Sequence, residues 1–312
     1  IVAEFKYLIF DGDIVPYEDA RLHISTPAVR YGATAFEGIR AYWNNDVDQL
    51  FMFRARDHME RLLQSAWLMG MEGITYSADE LISMVMKLLR LNNVRQDVHI
   101  RPSLFVAGEG PISARGPVCF GVVLTSGNPA QSSRGGSNCS MRLAVSSWRR
   151  IDDNTVSPKI KAAANYQNGR MALIQAEEDG YDRAVMLNAA GKVSEEPRAC
   201  IFVIRGDKVI TPSITSDILE SITRDSVIQL LKEAHSIEVI EREVDRTELY
   251  LADELFLAGT ALEITAVNSV DHFGIGGRSC ESITSAIGRT YASAVSSNYG
   301  LHSEWLEPVC DV

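Results

Sequence analysis

Between Ser126 and Asn138 the chain reads Ser-Gly-Asn-Pro-Ala-Gln-Ser-Ser-Arg-Gly-Gly-Ser-Asn, with hardly a side chain able to bury apolar surface. Such a run loses backbone entropy on ordering without gaining a core in return, so it holds neither helix nor strand. It is the one linker-like stretch in the sequence. It therefore predicts a first domain over 1–125, a linker over 126–138 and a second domain over 139–312. At 312 residues and 46% hydrophobic, the chain has enough apolar mass for two cores.

On either side the hydrophobic period keeps changing. Tyr7–Pro16 reads as two short strands about an Asp11-Gly12 turn. Met59, Leu62, Leu63, Ala66 and Trp67 recur at helical spacing over Arg54–Met69, with Gly70 as a stop signal. A second helix is predicted over Ala78–Leu91, and strands over Val98–Val106 and Val118–Leu124. Past the linker come a strand at Arg142–Ser147, a helix at Asn168–Asp179, a strand at Arg183–Asn188, a hairpin through Arg205-Gly206-Asp207 and a helix at Thr223–Ala234. Strands and helices alternate too irregularly for a doubly wound nucleotide fold, so the class is α+β, a mixed α/β arrangement. Gly274-Ile-Gly-Gly-Arg278 lacks the lysine and spacing of a phosphate loop and reads as a turn.

A net charge of −11 disfavours nonspecific binding to nucleic acid or to an anionic membrane, although a local basic pocket remains compatible with it. No window is apolar for long enough to span a bilayer, and Ile1–Tyr7 has no basic region leading into an apolar one. The five cysteines lie far apart without a Cys-x-x-Cys pair, which gives neither a disulfide framework nor a zinc site. No metal is expected. Buried free thiols in a cytoplasmic enzyme are.

Several residues could carry chemistry. A lysine becomes a nucleophile when desolvation or a nearby cation lowers its pKa. Lys161 is followed by Ala162, Ala163 and Ala164; alone, that fits a surface lysine before a helix equally well. Glu195 and Glu196 follow Ser194, and a pair of acids there also fits a solvated turn. Arg61 flanks the apolar face of its helix. Ile222 and Thr223 open a helix whose unpaired N–H groups favour an anion. Arg101 stands between Ile100 and Pro102 in a strand, either at a ligand or in a salt bridge at an edge.

Taken in order, Tyr31–Arg40, Lys161–Tyr166, Ser194-Glu195, Ile222–Asp225 and Ala258–Thr265 resemble the branched-chain aminotransferase family, fold-type IV enzymes that use pyridoxal 5′-phosphate (PLP). The resemblance runs from about Phe10 to the helix near Tyr291. It implies a smaller N-terminal α/β domain, a larger C-terminal domain around a barrel-like sheet, and PLP between them. By the same resemblance Lys161 holds PLP and shuttles the proton, Glu195 faces the ring nitrogen, and Tyr166 faces the phenolic oxygen. Arg61, Ile222, Thr223 and Thr260 meet the phosphate. Tyr31, Phe36, Gly38, Arg40, His99, Arg101 and the N–H of Ala261 form the substrate side, with Arg101 on the distal carboxylate of 2-oxoglutarate. Implied also are ping-pong exchange between hydrophobic L-amino acids and 2-oxo acids, a role in branched-chain amino acid biosynthesis, and a homodimer or higher homo-oligomer. Aminotransferases of D-amino acids or R-amines, a specialised biosynthetic aminotransferase, aminodeoxychorismate lyases and a noncatalytic binding protein of the same fold are the alternatives.

Three departures from the family pattern stand out. His99 replaces a tyrosine, Ser126–Asn138 carries no aromatic residue, and Glu196-Pro-Arg-Ala-Cys200 replaces a glycine-rich turn. These leave the cofactor half of the signature intact and blur the substrate half.

Overall fold

The computed structural model describes residues 4–127, 140–276, 282–296 and 300–309. In chain order its elements begin with strands β1 (Tyr7–Phe10) and β2 (Asp13–Pro16), then α1 (Pro27–Tyr31), β3 (Thr34–Phe36), β4 (Ile39–Asn44) and β5 (Gln49–Phe53). Helices α2 (Ala55–Leu68) and α3 (Ala78–Leu91) follow, then β6 (Val98–Val106) and β7 (Val118–Ser126). Next come β8 (Met141–Val145), α4 (Tyr166–Glu178), β9 (Arg183–Val185), β10 (Cys200–Arg205), β11 (Lys208–Thr211), α5 (Ile222–His235) and β12 (Val239–Glu241). The last are α6 (Arg246–Tyr250), β13 (Glu254–Gly259), β14 (Glu263–Val270), β15 (Phe273–Gly274), α7 (Ile283–Ser296) and β16 (Leu306–Pro308). The class is α+β.

These elements form two compact units. One draws on Ile1–Asn128, Ile160–Ala164 and Ala294–Val312, the other on Pro129–Lys159 and Asn165–Ser293. The linker reading assigns Ile160–Ala164 and the C-terminal segment to the second domain; in the structure both belong to the first unit. Hydrogen bonding explains why. β16 pairs antiparallel with β5, and Ala162 bridges Ala35 on β3. Of the linker, only Ser126 and Gly127 lie within the described residues. The expected turn over Gly274–Arg278 is described only as far as Gly276.

The first unit carries a sheet ordered β16-β5-β4-β6-β7-β1-β2, with β3 also on β6. Asp11 and Gly12 turn β1 into β2 with φ of 52° and 82°, the geometry a two-residue hairpin needs. Strand alternation decides what each face meets. Ile100, Leu104, Ile39, Met52 and Val122 join Met59, Leu62, Leu81 and Val85 of α2 and α3 in one core. His99, Arg101, Ser103 and Phe105 alternate with the core residues and face the other side. Helix α3 starts cleanly because Ser77 and Glu80 form a capping box.

Pro102 sits mid-strand in β6 and has no N–H to give the ladder. Opposite it the neighbouring strand breaks: β3 pairs with Ser103–Phe105 and β4 with Val98–Ile100, leaving Glu37 and Gly38 between them. Glu37 alternates with the core residues Ala35 and Ile39, so its side chain is on the core face and fully buried.

The second unit has a mixed sheet ordered β12-β11-β10-β13-β14-β8-β9, an open path among the described residues, with β15 on β14. β8–α4–β9 and β11–α5–β12 are parallel pairs joined through a helix; the remaining ladders of this unit, apart from parallel β14–β8, are antiparallel. Ile201, Val203, Leu255, Leu257, Val185 and Val267 fill its core. Phe202 and Phe256, register partners on β10 and β13, stack with centroids 4.7 Å apart on the opposite face.

Candidate active site

In the first unit, main-chain bonds fix Lys161 from both sides. Its N–H donates to Ser65 Oγ (3.1 Å) on α2, and its C=O accepts from the Phe36 N–H (3.0 Å) on β3. Its Nζ lies 5.3 Å from the centre of the Phe36 ring. The Arg101 guanidinium lies 4.0 Å from that same centre. The half-buried amine and the arginine therefore share one aromatic ring, which concentrates positive charge there. Arg40 pairs in register with His99 across β4 and β6, so Arg40, His99 and Arg101 are on one side of the sheet. Gly38 is needed beside them: a Cβ there would come within 2.8 Å of His99 Nε2.

Burial, with Arg40, Arg101, His58 and Lys161 adding to it, lowers the His99 pKa to about 4. His99 is thus a neutral hydrogen-bonding group at neutral pH rather than an added cation. Arg101 also borders a mostly apolar pocket of about 460 Å³, lined in part by Phe10, Val29, Thr34, Phe105 and Val123. Tyr31 ends α1, with 37% of its surface exposed. Arg61, expected at a phosphate, grips Glu37 with two bonds, Nε to Oε1 at 2.6 Å and Nη2 to Oε2 at 2.9 Å.

In the second unit, the other expected residues gather on the turn after Glu195. Glu196 and Ala199 exchange backbone hydrogen bonds of 2.9 and 3.2 Å, which closes a tight turn where the family has glycines. Pro197 packs on Gly169, one turn into α4 from Tyr166, where a Cβ would sit 2.7 Å away. The other side of the turn meets Gly259, whose Cβ would lie 2.9 Å from the Arg198 carbonyl, and Gly259 precedes Thr260 and Ala261. Arg198 itself is exposed and points outward. The Glu195 carboxylate accepts from Arg150 Nε (3.0 Å) and from the Leu219 N–H (3.2 Å), in the loop that leads to Ile222 and Thr223. The segments that carry Tyr166, Thr260 and the start of α5 thus each touch Glu195 or the turn that follows it, through Gly169, Gly259 and Leu219. Ser221 caps α5 by accepting from the Arg224 N–H, leaving an ordered helix start with its dipole suited to an anion.

Four participants escaped the sequence reading. Glu37 lay inside the block taken as a pocket wall, and His58 occupies a buried position on α2 that its periodicity could have shown. Arg150, 8% exposed, and Ser65 gave no local signal, because their partners lie 45 and 96 residues away.

Glu196 is fully buried, and burial pushes its carboxyl up to about 7 despite Arg198 and Arg183 nearby. The Arg183 Nε is 3.8 Å away, too far for a hydrogen bond. Its folded pKa exceeds the unfolded one, so the folded state holds the extra proton between roughly pH 4.5 and 7, and stability falls as pH rises through that window. Glu196→Gln should remove this penalty, stabilising the protein at pH 8 by on the order of 3 kcal/mol and little at pH 4. Denaturant melts at both pH values check it; an equal effect at both would assign the gain to packing.

A sheltered amine, an arginine-paired carboxyl group, a phenol and a helix N-terminus are the groups a phosphorylated aldehyde cofactor requires, and the residues present fit it. Among the described residues, no cluster of His, Cys, Asp or Glu could hold a metal, and no helix is long and apolar enough to cross a membrane. The chain belongs to the class IV aminotransferases, whose family model matches residues 34–270. It is similar to a probable branched-chain-amino-acid aminotransferase of Aquifex aeolicus, 40% identical over 98% of this chain and 97% of the relative. It is similar too to the PLP form of the Thermobaculum terrenum branched-chain aminotransferase (TM-score 0.90, 38% identity, covering 98% and 99% of the two chains). A third likeness is to the T.th. branched-chain aminotransferase complexed with N-(5′-phosphopyridoxyl)-L-glutamate (TM-score 0.90, 30% identity, 99% and 100%). The resemblance seen in the motifs extends over the whole fold.

Proposed function

We propose that this chain is a PLP-dependent branched-chain-amino-acid aminotransferase that uses 2-oxoglutarate as amino acceptor. The observation that carries the reading is the main-chain clamp on Lys161, which fixes the backbone and directs the amine toward Phe36. The bound pyridine ring supplies an electron sink that acidifies the substrate Cα–H. Lys161 Nζ takes that proton and returns it. Glu195, paired with Arg150, faces the ring nitrogen and Tyr166 the phenolic oxygen. Arg61, the first turn of α5 at Ile222 and Thr223, and Thr260 receive the phosphate.

For the substrate, the Ala261 N–H and neutral His99 hold the α-carboxylate, while Phe36, Tyr31 and Gly38 shape the side-chain wall and Arg40 backs it. Arg101 serves two substrates. Its guanidinium meets the distal carboxylate of 2-oxoglutarate, and its stem and the Phe36 ring serve an aliphatic side chain. The glutamate adduct bound by the T.th. relative supports that acceptor. Partners are then small amino and 2-oxo acids, with at least a homodimer expected from the family. Buried free thiols at Cys119 and Cys200 suit the cytoplasm.

Arg101→Ala should lower kcat/KM for 2-oxoglutarate roughly 10- to 100-fold, the range for losing a hydrogen bond to a charged group, and much less for 2-oxoisocaproate. Equal losses would remove the dual role. A panel of L- and D-amino acids and amines, scored by loss of the PLP absorbance band in single half-reactions, separates the branched-chain reading from the D-amino acid and R-amine alternatives.

A further inference from the structure

We propose that Glu37 is a positioning residue whose carboxylate holds the Arg61 guanidinium in the orientation that receives the cofactor phosphate. The inference rests on the PLP reading above and adds a residue that reading does not use.

Glu37 is 0% exposed, at the strand break opposite Pro102. Its carboxylate takes Arg61 with two bonds, lies 2.8 Å from His58 Nδ1, and accepts from the Gly38 N–H (3.2 Å). Burial alone would neutralise it, but Arg61, His58 and Lys161 outweigh burial and hold its pKa well below the usual carboxylate range. His58 is pushed the other way: burial, helped by Arg61 and Lys161, lowers its pKa despite Glu37. A neutral His58 facing an acceptor-only carboxylate carries its proton on Nδ1 and donates it. The charged pair is therefore Glu37 with Arg61.

An arginine has five N–H donors on a planar fork. Glu37 grips the edge bearing Nε and Nη2, which fixes the plane of the fork and the direction of the edge bearing Nη1. The Arg61 side chain is 12% exposed, so that edge is held where little water competes. A long arginine otherwise loses rotamer freedom when it binds an anion, and Glu37 removes that freedom in advance. Lys161 is close enough for its charge to act on Glu37, so the lysine and the clamp belong to one electrostatic group.

The test compares PLP with pyridoxal, which has the aldehyde but no phosphate. Each is titrated into cofactor-free wild type, Glu37→Gln, Arg61→Ala and the double variant, reading the visible absorbance of the lysine-bound aldehyde, with folding checked by circular dichroism. Glu37→Gln should weaken PLP roughly 10- to 100-fold and change pyridoxal by less than about threefold. In the Arg61→Ala background it should cost PLP nothing further, the signature of action through Arg61. Equal losses for both aldehydes, or an undiminished loss in the Arg61→Ala background, would overturn the proposal. If Glu37→Gln does not fold, Glu37→Asp, which keeps the charge but shortens its reach, is judged by the same split. Wild type that develops no absorbance with either aldehyde would bring down the PLP reading itself.

Discussion

Lys161→Ala is expected to lose transamination by at least about 10⁴-fold, since both a covalent attachment point and a general base disappear with one amine. The fold should survive. Two bonds that position residue 161 are made by its main chain, to Ser65 Oγ and to the Phe36 N–H, and alanine keeps them. What goes is the Nζ beside the Phe36 ring and one positive charge near Glu37. The purified wild type should be yellow, and the variant should lack the lysine-dependent absorbance while melting close to wild type. Retention of that absorbance would mean a different lysine holds the aldehyde. A collapse in melting temperature would instead give Lys161 a structural role.

The second large effect is expected from Glu195→Gln. Glutamine keeps the shape and one acceptor oxygen for Arg150, yet it cannot carry the charge that keeps a ring nitrogen protonated. Both half-reactions should slow by roughly 10²- to 10³-fold, in the range for removing one preorganised electrostatic partner, while PLP stays bound. Arg150 would lose the carboxylate it pairs with at 2.8 Å, at a site where its side chain is 7% exposed. A buried guanidinium with a neutral acceptor is less stable, so a loss of about 1–3 kcal/mol in folding free energy should accompany the rate effect. Stopped-flow half-reactions and denaturant melts separate the two. Wild-type rates would move the role to Glu196, which is a poor candidate because its carboxyl is pushed up to about 7 and turned toward Arg183.

Local pattern made much of this chain readable in advance. Helix α3 was legible to the residue, because its apolar positions recur at helical spacing and Ser77 caps it. Helix α2 and strands β6 and β7 were legible to within one or two residues for the same reason. The turn after Glu195 was readable only as a departure from the family pattern; that it closes on itself, with Pro197 against Gly169 and Arg198 outward, depended on α4 and β13.

Spacing, period and residue type are properties of neighbours along the chain, so the sequence by itself determined helices α2 to α5, the α+β class and the family signature around Lys161, Tyr166 and Glu195, but not the short helices α1 and α6. Partners far apart in the chain are chosen by packing, so only the tertiary structure decided that Glu37 locks Arg61, that Arg150 pairs with Glu195, and that Ile160–Ala164 joins the first unit. The reason is physical: a buried charge takes whichever counter-charge the fold brings within about 3 Å, and no local pattern encodes that choice.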